Sequence, residues 1–93
     1  MVRWQLVFTE SYLHRAERFL RRHPDLAERY FKTIDLLEAD PHHPSLRLHA
    51  MRGKLTGLHS VSINLSYRIT IEMEIRAKEI VPVNVGTHEG VYR

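Results

Sequence analysis

The chain has 93 residues, enough for one domain with a modest core, and its 43% hydrophobic and 27% charged residues are ordinary for a soluble globular protein. It has no cysteine, which excludes a disulfide framework, a thiolate nucleophile and a zinc site built on sulfur. Lys and Arg number 14 against 11 Asp and Glu, giving a pI near 9.6, a small excess that by itself says only that the surface is charged.

In chain order, Val2, Trp4, Leu6 and Phe8 alternate with polar or smaller residues, as in a half-buried strand. Thr9 offers an N-cap to a helix in which Tyr12, Leu13, Ala16, Phe19 and Leu20 recur at helical spacing. His23-Pro24 ends that helix, and Pro24 suits the first turn of a second one, where its missing N–H is not needed. Leu26, Tyr30, Ile34 and Leu37 form the second helix's apolar stripe, widened by Ala27, Phe31 and Leu36, until Asp40-Pro41-His42-His43-Pro44 ends it. Beyond this point the period changes. Leu46 and Leu48 suggest a short strand, followed by a basic loop with Gly53 and Gly57. Val61, Ile63 and Leu65 alternate with Ser60, Ser62 and Asn64, and Tyr67, Ile69, Ile71, Met73 and Ile75 alternate with polar residues in the same way. Residues 80–85 read as a last strand in which Pro82 requires an exposed or bulged position.

This order predicts an α+β fold in one domain over residues 1–93. A strand and a helical hairpin precede a three-strand antiparallel meander that completes one sheet, with the helices on one face. The odd-numbered residues of the strand beginning at Tyr67 face the helices, so Arg68 belongs to the uncovered face. No apolar run approaches the roughly 20 residues that span a bilayer. The start, Met1-Val2-Arg3-Trp4-Gln5, lacks a signal-peptide pattern, so a cytoplasmic protein without a membrane partner is expected.

The distribution of charge says more than its total. Positions 41–71 hold no Asp or Glu, but they carry Arg47, Arg52, Lys54 and Arg68 together with His42, His43, His49 and His59. Such a stretch attracts a polyanion, although a run of solvated charges would look the same. His49 opens the segment His49-Ala50-Met51-Arg52-Gly53-Lys54-Leu55-Thr56-Gly57, and His88 follows Gly86-Thr87 at the end of the last strand. Cutting RNA needs a base for the 2′-hydroxyl proton, an acid for the leaving 5′-oxygen and a fixed cation on the phosphate. His49, His88 and Arg68 supply that set without a metal or other cofactor. Each has a plainer alternative: solvated histidines, and an Arg68–Glu72 ion pair along one strand face. His14, His23, His42 and His43 are read as solvated. His42, His43 and His49 lack a carboxylate or fourth ligand at metal-site spacing, and no phosphate-binding glycine loop opens a helix.

Three segments, taken together, resemble the RelE/ParE superfamily of type II toxins, and most of all its YafQ-type messenger-RNA interferases. They are Leu48-His49-Ala50-Met51-Arg52-Gly53-Lys54-Leu55-Thr56-Gly57, Ser62-Ile63-Asn64-Leu65-Ser66-Tyr67-Arg68-Ile69 and Gly86-Thr87-His88-Glu89-Gly90-Val91-Tyr92. The resemblance implies a toxin that cleaves messenger RNA, commonly at the ribosome, and is silenced by a cognate antitoxin protein. It implies catalytic roles for His49 and His88, a phosphate-contacting Arg68, and Tyr92 at an aromatic position where relatives often carry Phe. Arg47, Arg52 and Lys54 are then candidate RNA contacts. Ser62 stands where the YafQ pattern has a histidine, and Ser66 where it has an aspartate, which leaves proton transfer to His49 and His88. Two other readings share the fold: a ParE-like toxin that blocks DNA gyrase without catalysis, and a degenerate, inactive member.

Overall fold

In a computed structural model, residues 3–87 are described; His88 and Tyr92 lie outside them. The elements are β1 (Gln5–Leu6), α1 (Glu10–Arg22), α2 (Ala27–Ala39), β2 (His49–Ala50), β3 (His59–Ser62), β4 (Tyr67–Glu74) and β5 (Glu79–Thr87). The expected α+β architecture is present. The sheet order is β1-β5-β4-β3-β2, with β1 parallel to β5 and every other pair antiparallel.

Local chemistry accounts for the hairpin. The Thr9 hydroxyl accepts from the Tyr12 N–H at 3.1 Å, satisfying one of the orphan donors of the first turn of α1. Glu10 sits in that turn and Arg21 and Arg22 in the last, both complementing the helix dipole. Pro24 opens a 3₁₀ turn, Pro24–Leu26, that leads directly into α2. Tyr12, Phe19, Tyr30 and Leu37 project from the two helices into one core with Val61, Ile69, Ile71 and Ile80 of the sheet. Inside it the Tyr12 and Tyr30 hydroxyls lie 2.7 Å apart. Burial pushes both phenols up from their ordinary pKa, so they remain neutral partners.

Several expected boundaries move. The first strand is regular only over Gln5–Leu6. Leu46 closes a 3₁₀ turn, Pro44–Leu46, and the short strand falls one step later, at His49–Ala50. β3 stops at Ser62 because the Asn64 side-chain oxygen accepts from the N–H groups of Ser66 (2.9 Å) and Tyr67 (2.8 Å), turning the chain back as β4. Leu65 therefore sits at the tip of a turn and is 87% exposed, and Ile75, past the end of β4, is 68% exposed. Phe31 is exposed as well, while Thr33 is buried on α2. Pro82 sits beside the expected irregularity: Thr70 pairs with Asn84 and Ile71 with Pro82, so Val83 is the extra residue of a bulge. Among the described residues, no helix is long and apolar enough to cross a membrane.

Candidate functional site

The site begins with strand register. His49 pairs with Ser60, Ser60 with Thr70, and Ser62 with Arg68, and directly paired residues share a face. His49, Ser60, Ser62, Arg68 and Thr70 therefore point the same way, opposite to Val61 and Ile69, which enter the core under the helices. Arg68 is on the face away from the helices, as its place in the alternation predicts.

From there its guanidinium turns diagonally across the sheet. Nε donates to the Ser60 hydroxyl at 2.5 Å, and Nη2 lies 3.1 Å from the Arg47 carbonyl oxygen and 3.1 Å from His49 Nδ1. Ser60 is wholly buried. Arg68 and His49 are half-buried. The Arg47 carbonyl also lies 3.2 Å from His49 Nδ1, so one backbone oxygen serves both side chains. Its direction comes from an unusual backbone: Arg47 caps the 3₁₀ turn in the left-handed region, with φ 49° and ψ 48°. A non-glycine residue held there is costly, and the strain has a use in aiming the carbonyl between imidazole and guanidinium.

This geometry links the imidazole's two tautomers to its neighbours. When Arg68 Nη2 donates to Nδ1, the imidazole proton is on Nε2, which is then a donor. When Nδ1–H donates to the Arg47 carbonyl, Nε2 carries the lone pair and is an acceptor. At Nε2 the same side chain can thus present a hydrogen-bond donor or an acceptor beside a fixed positive charge.

The remaining expected residues divide clearly. The side chains of Arg47, Arg52 and Lys54 are exposed, the last two around the 3₁₀ turn Gly53–Leu55, and among the described residues none of the three pairs with a carboxylate. Gly53 (φ 67°) and Gly57 (φ 100°) take the positive angles that this basic loop needs. His88 and Tyr92 lie outside the described residues; the last described one, Thr87, pairs with Tyr67, and its neighbour Gly86 pairs with Arg68. Ser62 donates to the Asn64 carbonyl at 2.6 Å, and Ser66 gives its N–H to the Asn64 side chain, so both serines shape the turn that sets β4 in register. His23 departs from the solvated reading, since its ring packs 4.8 Å from Phe19 and 4.7 Å from Tyr67. Ser60 and the Arg47 carbonyl are the parts of the site that sequence reasoning missed. The only signal for Ser60 was its place two residues along β3 from Ser62, on the face of Arg68.

No family pattern matches the chain, and no curated protein matches it in sequence. Its fold does match solved structures. YafQ from E. coli strain BL21(DE3) superposes with a TM-score of 0.77 over 97% of this chain and 99% of its own, at 12% identity. The YoeB/ParE toxin from Agrobacterium tumefaciens gives 0.71 over 90% and 98%, at 17% identity. YafQ in the E. coli DinJ–YafQ toxin–antitoxin complex gives 0.74 over 97% and 98%, at 15% identity. The two helices and five-strand sheet of this chain are the fold of these RelE/ParE-type toxins, the family its motifs resemble.

Proposed function

We propose that this chain, as a single domain over residues 1–93, is the toxin of a type II toxin–antitoxin pair and an endoribonuclease acting on messenger RNA. The observation that carries this reading is the contact between Arg68 and His49 on the face of the sheet away from the helices. A ParE-like blocker has no need of an imidazole beside a guanidinium, whereas phosphodiester cleavage uses both. The reaction is metal-independent general acid–base catalysis. One histidine, His49 or His88, takes the proton from the 2′-hydroxyl, and the 2′-oxygen attacks phosphorus. The bond to the 5′-oxygen breaks, and the other histidine supplies the proton that this oxygen needs. The products are a 2′,3′-cyclic phosphate and a 5′-hydroxyl. Arg68 stabilises the charge that builds on the phosphate, and it arrives already oriented by Ser60 and Arg47, so little reorganisation is needed at the moment of reaction. Tyr92 offers a ring to a base flanking the cut. Arg47, Arg52 and Lys54 hold neighbouring phosphates without reading sequence.

In this reading the substrate is a message on the ribosome, the compartment is the cytoplasm, and the silencing partner is an antitoxin whose acidic segment covers the basic stretch. Incubating the purified protein with a message, with and without ribosomes, tests it. Cleavage is expected to disappear in His49→Ala, His88→Ala and Arg68→Ala variants that keep the native circular dichroism. Wild-type rates in both histidine variants would refute the site assignment. Inhibition of gyrase supercoiling without RNA cleavage would replace the enzyme with a ParE-like blocker.

A further inference from the structure

A second basic feature lies on the other side of the strand ends that carry Arg68. α1 and the adjoining ends of β4 and β5 enclose a cleft of about 360 Å³, lined by Arg15, Arg18, Arg22, His23, Tyr67 and Asn84 among others. The three arginines recur at i, i+3 and i+7, so they stand in one row along α1, and no acidic side chain lines the cleft. The acids of α1 are engaged elsewhere, Glu10 with His14 and Glu17 with Arg21. Arg15 is tethered to the Asn84 side-chain oxygen at 3.3 Å. Among the described residues Arg18 and Arg22 make no ion pair, and both are exposed. On the floor, Tyr67 packs edge-on against Phe19 with centroids 5.4 Å apart and lies 4.7 Å from His23.

We propose that this cleft binds the single-stranded RNA flanking the cut, with Arg18 and Arg22 on backbone phosphates and the Tyr67–His23 pair against a base. The inference rests on the endoribonuclease reading and extends it to a subsite. A row of arginines over an aromatic floor is the chemistry of single-strand binding: charge tracks the backbone while rings meet bases. Placement supports the same occupant. Tyr67 lines the cleft and Arg68, the next residue, faces the opposite side of the sheet, so a strand bending round the β4–β5 end meets both. An acidic peptide would also be drawn to the arginines, but it would make no use of the aromatic floor.

The test measures binding of a fluorescent single-stranded RNA with 2′-O-methyl groups throughout, which prevents cleavage, over a range of salt concentrations. An R18E/R22E variant is expected to bind at least about tenfold more weakly than wild type, with a salt slope smaller by roughly one per lost phosphate contact. Arg21→Glu, which alters the same helix outside the cleft, serves as control and is expected to stay within about twofold of wild type. Tyr67→Leu is expected to weaken binding while leaving the salt slope unchanged, the mark of a lost base contact. Equal binding by wild type and R18E/R22E overturns the cleft proposal and leaves the catalytic reading standing. A wild-type protein that binds no RNA also overturns the cleft proposal, while loss of message cleavage on ribosomes is what overturns the catalytic reading. Loss of poly-glutamate binding in R18E/R22E, with RNA binding intact, assigns the cleft to an acidic protein segment instead.

Discussion

Removing the Ser60 hydroxyl tests whether Arg68 is held for a purpose. In Ser60→Ala the guanidinium loses its 2.5 Å bond from Nε but keeps its contacts with the Arg47 carbonyl and His49. A hydrogen bond to a charged group contributes about 1.5–3 kcal/mol, and because Arg68 is only half-buried, water replaces part of it, leaving a loss of about 1 kcal/mol. For a domain of this size that lowers Tm by about 4–8 °C. The effect on cleavage is separate. A guanidinium no longer fixed at Nε swings about its remaining contacts, and a loss of about 1.4 kcal/mol of transition-state stabilisation is tenfold in kcat. Single-turnover cleavage of a short RNA at 25 °C, well below unfolding, reads that term without interference from stability. Ser60→Thr, which keeps the hydroxyl, is expected to restore most of the rate even if its extra methyl lowers Tm in the tight site. If Ser60→Ala cuts at the wild-type rate while Arg68→Ala is inactive, Arg68 works without the diagonal bond, and the positioning argument is wrong.

The phenol pair and the strained residue make two further predictions. Tyr12→Phe or Tyr30→Phe leaves the other buried hydroxyl without its 2.7 Å partner, a cost of about 1–3 kcal/mol, and the double replacement is expected to recover part of it in a thermal double-mutant cycle. Because burial raises both phenols, the unfolded chain gives up these protons first; stability is full below about pH 10 and falls as pH rises beyond it, a decline that the double Phe variant should reduce in urea titrations. Arg47→Gly keeps the carbonyl that serves His49 and Arg68 and relieves the left-handed backbone, so it is expected to match wild type in Tm and kcat while raising KM for RNA. Arg47→Val, β-branched at φ 49°, is expected to lose about 1–2 kcal/mol in the same melts.

How much of this was legible in the sequence depends on the range over which each signal acts. The hairpin was readable because its determinants are local: the Thr9 cap, the Pro24 break, and apolar positions that return to one face. β4 was readable for the same reason, and with it the side on which Arg68 stands. The turn after β3 was not, because alternation continues through Leu65 and only the Asn64 side chain, bonded to Ser66 and Tyr67, stops it. β2 consists of two residues, too few for a period to register. His49 and Arg68 were singled out by residue type and motif, yet what holds them was invisible. A backbone carbonyl has no residue type, and the bond to Ser60 follows from the register of three strands. The burial of Ser60 and Thr70 is instructive on this point. As polar residues alternating with apolar ones they fall on the face away from the helices, yet they are 0% and 2% exposed. A small hydroxyl on the outer face of a sheet becomes buried only when something longer lies near it, and the hydroxyl of Ser60 is bonded to the guanidinium of Arg68. An arginine that only balanced surface charge would gain little from being folded down onto a buried serine, because an exposed pair seldom repays the ordering of so long a side chain. The burial of Ser60 thus records the path of Arg68 across β3.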